Sequence, residues 1–417
     1  MKLRVLLVTL LALSGCMGTG ASGKPNILII VGDDLGEMLV GAYGQRTIKT
    51  PFIDHLAANG FQGHGLSAAP TCKPSRESLM TGLHLNNTTF KRLSPPTNEE
   101  DIPESEVTIA EVLKKSGYAT GGFGKWGLGT KEGAPQNQGF DYWHGTLTHR
   151  QAIFKWLAEI FDSNTGTATP LEPGEYSSDV VVNRAVTWML SQSGPWYAYV
   201  ASQDPHWILE PPANYVTPYV GLPYVTTTIG GFEHQDGLKK FAGSVTAFDD
   251  QVRRLVQAAG PNTLIIITGD NGAQCTNGMR GIFTYFGAGK GMRGCKTQLY
   301  QGGLRVPFIA YWPGHIQPRR NAEWIAGYDI APTVAEAAGA SMPTADGISV
   351  LPLLLGDVDA LPHRRLVFGQ GDNRAYINTK TSRKRIVFAN GRVEQYDLYE
   401  DPGETRNLNL PNRNQTG

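Results

Sequence analysis

The stretch PNILIIVGDD, Pro25 to Asp34, decides the fold. Its unbroken apolar run, Ile27 to Val31, is largely β-branched, the composition of a strand buried on both faces inside a parallel sheet. The run ends by delivering two carboxylates, Asp33 and Asp34, at its carboxyl end. Downstream, TPFIDHLAANG (50–60) spaces its apolar residues as a helix and stops at a glycine. The same helix-and-strand alternation recurs three times. SEVTIAEVLKKSG (105–117) precedes YATGGFGKWG, SSDVVVNRAVTWMLSQ (177–192) precedes WYAYVASQDPHW, and GSVTAFDDQVRRLVQAAG (243–260) precedes NTLIIITGDNG. Units of this kind in series predict an α/β fold with a mainly parallel central sheet covered by helices on both faces. Ligands of such sheets gather beyond the carboxyl ends of the strands.

From about Leu361 the texture changes to short alternating segments with turn residues such as Asn390-Gly391, which predicts a small antiparallel sheet over 361–417. The main α/β domain is thus expected over 25–360. Two long stretches without clear periodicity, around 164–176 and 272–294, exceed the length of simple connectors and are expected to be binding loops.

With 417 residues and 41% hydrophobic content the chain can bury a large core. Lys plus Arg and Asp plus Glu both number 37, so no global field draws the protein to nucleic acid, and any affinity for anions must come from a local pocket. The first residues, MKLRVLLVTLLALSGC, have a basic start and an apolar run too short to span a bilayer permanently, so 1–15 read as an export signal. Leu13-Ser14-Gly15-Cys16 resembles the lipobox of bacterial lipoproteins, which implies a lipid on Cys16, a flexible tether over 16–24 and a membrane-anchored protein in the periplasm or on the cell surface. An ordinary signal peptide cut elsewhere is the alternative. In an oxidising compartment Cys72, Cys275 and Cys295 are an odd set, so at least one is unpaired; Cys275 and Cys295 can bridge or stay free.

Polar residues just past the predicted strands are Asp33, Asp34, Lys125, Asp204, His206, Asp270 and Asn271. The pairs Asp33-Asp34 and Asp270-Asn271 offer hard oxygen ligands from two strand ends, suited to calcium or magnesium more than zinc. Paired Asp residues also serve as helix or turn caps, but two such pairs on separate strands favour a metal.

Cys72 opens CKPSRESLMTG (72–82), which matches the sulfatase signature at Cys72, Pro74, Ser75, Arg76, Leu79, Thr81 and Gly82. Most of the chain after the tether resembles the formylglycine-dependent sulfatases, including PNILIIVGDDLG, TGDNGA, RGCKTQLYQGGLRVPFIAYWPG and YDLYEDPGETRNL. The resemblance implies an alkaline-phosphatase-like fold and conversion of Cys72 to formylglycine by a maturation enzyme. It further implies a calcium ion held by Asp33, Asp34, Asp270, Asn271 and modified Cys72. Arg76 would steady the formylglycine hydrate, Lys125 and Lys296 would clamp sulfate oxygens, and His206 would protonate the departing alcohol.

Two positions depart from the family pattern. The family has a histidine two residues after the lysine of GKW, where this chain has Gly127, and a glutamate where it has Gln301. The missing histidine contacts the formylglycine hydroxyl in the family and is suited to take its proton when sulfate is expelled. Gly127 therefore predicts slow expulsion of sulfate, unless His149 folds in from another loop. The expected activity is hydrolysis of a sulfate ester on a carbohydrate. A phosphate or phosphonate monoester hydrolase and a glycan-binding pseudoenzyme are the alternatives. Trp143, Trp156 and Trp207 are placed to stack on sugar rings or to pack locally.

Overall fold

The computed structural model describes residues 23–89, 101–156 and 158–409. The predicted export signal and Cys16 lie outside the described residues. The strands are, in chain order, β1 (Asn26–Gly32), β2 (Phe61–Leu66), β3 (Ala119–Lys125), β4 (Tyr142–Thr146), β5 (Glu159–Asp162), β6 (Thr167–Pro170), β7 (Trp196–Ala201), β8 (Thr227–Ile229), β9 (Phe232–His234), β10 (Thr263–Gly269), β11 (Arg305–Tyr311), β12 (Arg319–Ala326), β13 (Arg365–Gln370), β14 (Asn373–Asn378), β15 (Arg383–Val387) and β16 (Val393–Asp397). Ten of them form one sheet in the order β12-β2-β11-β10-β1-β7-β3-β4-β5-β6, in which the central run β10-β1-β7-β3-β4 is wholly parallel. The meander expected near the C-terminus is the antiparallel sheet β13-β14-β15-β16.

The opening strand is buried on both faces, as its composition requires. Ile27, Ile29 and Val31 join one core with Trp126, Phe140, Trp143 and Tyr199; Leu28 and Ile30 join the other with apolar residues of the Pro51–Asn59, Ser177–Ser191 and Gly237–Ala259 helices. Fully burying each such side chain contributes roughly 1.5–3 kcal/mol, which makes β1 one of the least replaceable elements. Its register with β10 runs unbroken from Asn26 opposite Thr263 to Gly32 opposite Gly269. The polar residues that follow the two strands therefore emerge side by side. A third core, including Phe368, Ile377, Ile386 and Tyr396 of the small sheet, packs on Leu66, Leu304 and Tyr328 and so docks that sheet beside the strand ends.

The stretch expected as a loop around 164–176 is in part a hairpin, because β5 and β6 pair antiparallel across Asp162 and Thr167. Short strands of mixed polarity on a sheet edge carry little periodicity, which hides them in the sequence. Trp143 is fully buried, with its ring 5.1 Å from Trp126 and 5.3 Å from Phe140, so it belongs to the core and cannot stack on a sugar. Cys275 and Cys295 form a disulfide, which leaves Cys72 as the free cysteine among the described residues. Among these residues no helix is long and apolar enough to cross a membrane.

Candidate active site

The nine residues to which the resemblance gives a role meet at the carboxyl ends of β1, β3, β7 and β10. Asp33 and Asp34 follow β1, Lys125 ends β3, His206 lies in the turn after β7, and Asp270 and Asn271 follow β10. Cys72 is the first residue of the Cys72–Thr81 helix, every residue of which is buried. Pro74 is tolerated in its first turn, where a missing N–H has no intrahelical partner to lose, and Gly82 ends the helix in the left-handed region with φ 70°. Arg76 follows Cys72 by one turn and points into the same site.

Three carboxylates face three full cations. Lys125 Nζ is 2.6 Å from Asp33 Oδ2, Lys296 Nζ is 2.6 Å from Asp34 Oδ1, and Arg76 Nη2 is 2.8 Å from Asp270 Oδ2. Arg76 also donates to the Lys125 carbonyl at 2.8 Å, so its guanidinium, fully shielded from solvent, ties β3 to β10. His206 Nε2 lies 3.8 Å from Asp34 Oδ2. The Cys72 thiol lies 3.3 Å from Asp33 Oδ1 and 3.8 Å from Asp34 Oδ1.

These neighbours set the ionisation of the site. Burial alone would raise the Asp33 carboxyl, but the positive groups around it, led by Lys125, hold it well below the usual carboxylate range. Burial and the adjacent Asp33 push Asp270 up, with Arg76 opposing. Burial, reinforced by Asp270 and Asp33, raises the Cys72 thiol well above its ordinary value, so an unmodified cysteine here is a poor thiolate nucleophile. Lys296 stays charged because Asp34 outweighs the cost of burial. Burial pushes His206 down to about 3, so its imidazole is neutral in the free site; an anion bound nearby would favour its protonated form.

The donor set fits a hard cation. One ligand atom from each of Asp33, Asp34, Cys72 and Asp270 lies within 4.8 Å of all the others. Asn271 donates its amide to Asp34 Oδ1 at 2.7 Å, and its own Oδ1 is buried and, among the described residues, without a hydrogen-bond donor. Asp34 Oδ2 is buried without a donor as well. Two orphaned acceptor oxygens beside three carboxylates are unfavourable in a dry interior, and a cation would satisfy both.

The sequence did not single out the support behind His206. Asp204, grouped by position with the site residues, turns away from the cluster. Its carboxylate accepts from Lys155 Nζ at 2.7 Å, the Tyr176 hydroxyl at 2.7 Å and Gln251 Nε2 at 2.8 Å. Lys155 also donates to the His206 carbonyl at 2.8 Å, and the Lys155 and Asp204 side chains are completely buried. Trp207 stacks on the His206 ring with centroids 5.6 Å apart, and Trp156 donates from its indole to the Glu210 carbonyl at 2.7 Å. Gln301, where the family carries glutamate, is buried with neither amide atom partnered among the described residues, while Glu404 from the C-terminal region accepts its backbone N–H at 2.6 Å.

Residues 25–340 match the family model described as Sulfatase, and residues 295–416 match that described as N-sulphoglucosamine sulphohydrolase, C-terminal. The chain belongs to the sulfatase family and is a sulfuric ester hydrolase. It is 31% identical to arylsulfatase A of Homo sapiens over 460 aligned positions, covering 96% of this chain and 86% of that protein. It is also 31% identical to the steryl-sulfatase of Rattus norvegicus, covering 82% and 72% of the two chains. Among solved structures, Ps i-CgsB in complex with k-i-k-neocarrahexaose superposes with a TM-score of 0.78 at 25% identity, over 92% of this chain and 88% of that one. The phosphonate monoester hydrolase of Agrobacterium radiobacter, at 19% identity and a TM-score of 0.68, shares the fold.

Proposed function

We propose that this sulfatase removes sulfate from a carbohydrate ester, using formylglycine made from Cys72 by a maturation enzyme and a calcium ion held by Asp33, Asp34, Asp270, Asn271 and the modified residue. The observation that carries the reading is the position of Cys72, buried against a carboxylate cluster with two orphaned oxygens and ringed by Arg76, Lys125 and Lys296. When in place, the hydrated aldehyde supplies a nucleophilic hydroxyl and the ion a Lewis acid.

The chain's own residues do the rest. Arg76 donates to Asp270 and the Lys125 carbonyl while its Nη2 makes no hydrogen bond among the described residues, so it offsets carboxylate charge and would also steady the formylglycine hydrate. Lys125 and Lys296 pair with Asp33 and Asp34 here. Were those carboxylates turned to an ion, Lys125 and Lys296 would be free to hold sulfate oxygens, where preorganised positive charge lowers the barrier most. His206 would donate a proton to the departing alcohol once a bound anion has raised its basicity. The carbohydrate assignment is supported by the oligosaccharide named in the Ps i-CgsB complex and by 28% identity to N-acetylgalactosamine-6-sulfatase of Homo sapiens.

The test is desulfation of a panel of sulfated mono- and oligosaccharides beside matched aryl sulfate and aryl phosphate. Preference for aryl phosphate, or binding of sulfated sugars without turnover, would refute the reading. The sequence further supports export and a lipid on Cys16. Cys16→Ala should then release the protein from the membrane fraction or block its processing, and a native soluble form beginning at another residue would refute the tether.

A further inference from the structure

The space left by Gly127 is filled by a histidine from another loop. Gly127 has φ +76°, and a Cβ built on it would lie 2.7 Å from His149 Nε2 and 2.9 Å from His149 Cε1. The two loops are stitched together, since Trp126 N donates to Thr146 O at 2.9 Å and Gly127 N to Leu147 O at 3.1 Å. His149 opens the His149–Ile153 helix, which Thr148 and Gln151 start with a capping box. The capping box thus sets the backbone at His149 by local sequence. His149 Nε2 is buried and has no hydrogen-bond partner among the described residues. Burial, with Lys125 and Arg76 nearby, holds the imidazole well below its ordinary basicity, so it is neutral in the free site, and a bound sulfate anion would raise its affinity for a proton.

We propose that His149 is a catalytic residue of this sulfatase, whose Nε2 takes the proton from the free hydroxyl on residue 72 as sulfate leaves, and that Gly127 is glycine because that ring needs the space. This rests on the proposed formylglycine chemistry. In the step, the hydroxyl O–H bond breaks and its proton passes to Nε2. The electron pair left on oxygen closes a C=O bond on residue 72, the C–O bond to sulfate breaks, and sulfate departs with the electron pair of that broken C–O bond.

The test compares the parent, His149→Ala, His149→Gln and the double variant Gly127→His/His149→Ala, each with formylglycine content measured by mass spectrometry. Both single variants should lose about 10²–10⁴-fold in steady turnover of an aryl sulfate while still releasing a burst of about one equivalent of phenol. Acid-quenched protein should yield a residue-72 peptide carrying sulfate, a mass signature that a merely structural role would not produce. The double variant moves the ring to the other loop and should recover part of the lost rate. If His149→Gln turns over like the parent, or slows with neither burst nor sulfated peptide, the proposal is wrong. A parent that carries the aldehyde yet cleaves no sulfate ester overturns instead the reading on which it rests.

Discussion

Replacing Lys155 by methionine tests how His206 is held. The side chains of Lys155 and Asp204 are both completely buried and 2.7 Å apart, so the substitution strands a carboxylate whose remaining donors are Tyr176 and Gln251. Removing one partner of a buried ion pair typically costs about 3–5 kcal/mol. With an unfolding entropy near 2.1 cal/mol/K per residue, a chain of 417 residues has about 0.9 kcal/mol/K in total, which converts the loss to a fall of roughly 3–6 °C in Tm. Turnover should fall separately, because Lys155 also donates to the His206 carbonyl at 2.8 Å. A misplacement of about 1 Å near the reacting bond costs on the order of 10²-fold. Calorimetry at saturating calcium, paired with aryl sulfate kinetics, reads both effects. Lys155→Met/Asp204→Asn removes both charges and should restore much of the stability, leaving turnover low since the His206 carbonyl still lacks its donor. Lys155→Met melting within about 1 °C of the parent with unchanged turnover would refute the argument.

Two further outcomes follow from the site. Cys72→Ala should abolish sulfate ester hydrolysis, and the parent's residue-72 peptide should carry an aldehyde; a peptide that remains wholly alkylatable thiol in an active preparation contradicts this. Chelation should lower Tm, since an ion present at about 100 times its Kd stabilises by about 2.7 kcal/mol. An unchanged melting curve after exhaustive chelation would return Asp33, Asp34, Asp270 and Asn271 to a purely structural role.

The central strands and the residues at their ends were legible because a strand buried on both faces has a strong compositional signature and its polar terminus stands out against it. Lys155, Tyr176 and Gln251 were not. Gln251 sits in the long Gly237–Ala259 helix, where a lone amide looks like any solvent-facing residue, and Lys155 lies in a connection of no periodicity. Their burial is a product of tertiary packing that local pattern does not encode. Trp143 misled in the opposite direction, because an aromatic residue near predicted loops looks the same whether it faces a sugar or Trp126. The place of His149 was open for a related reason. The sequence shows that Gly127 vacates a position, but only the parallel pairing of β3 with β4 shows which loop lies against it.

The unbroken ladder between β1 and β10 acts as a ruler. Asp33-Asp34 and Asp270-Asn271 face one another only because each pair comes immediately after seven matched rungs. A single-residue insertion or deletion in either strand would turn the apolar positions to the wrong core and swing the carboxylates away from each other. Length changes in descendants of this gene should therefore be confined to peripheral connections such as the β5-β6 turn, while the spans from Asn26 to Asp34 and from Thr263 to Asn271 keep their residue count however far their side chains drift.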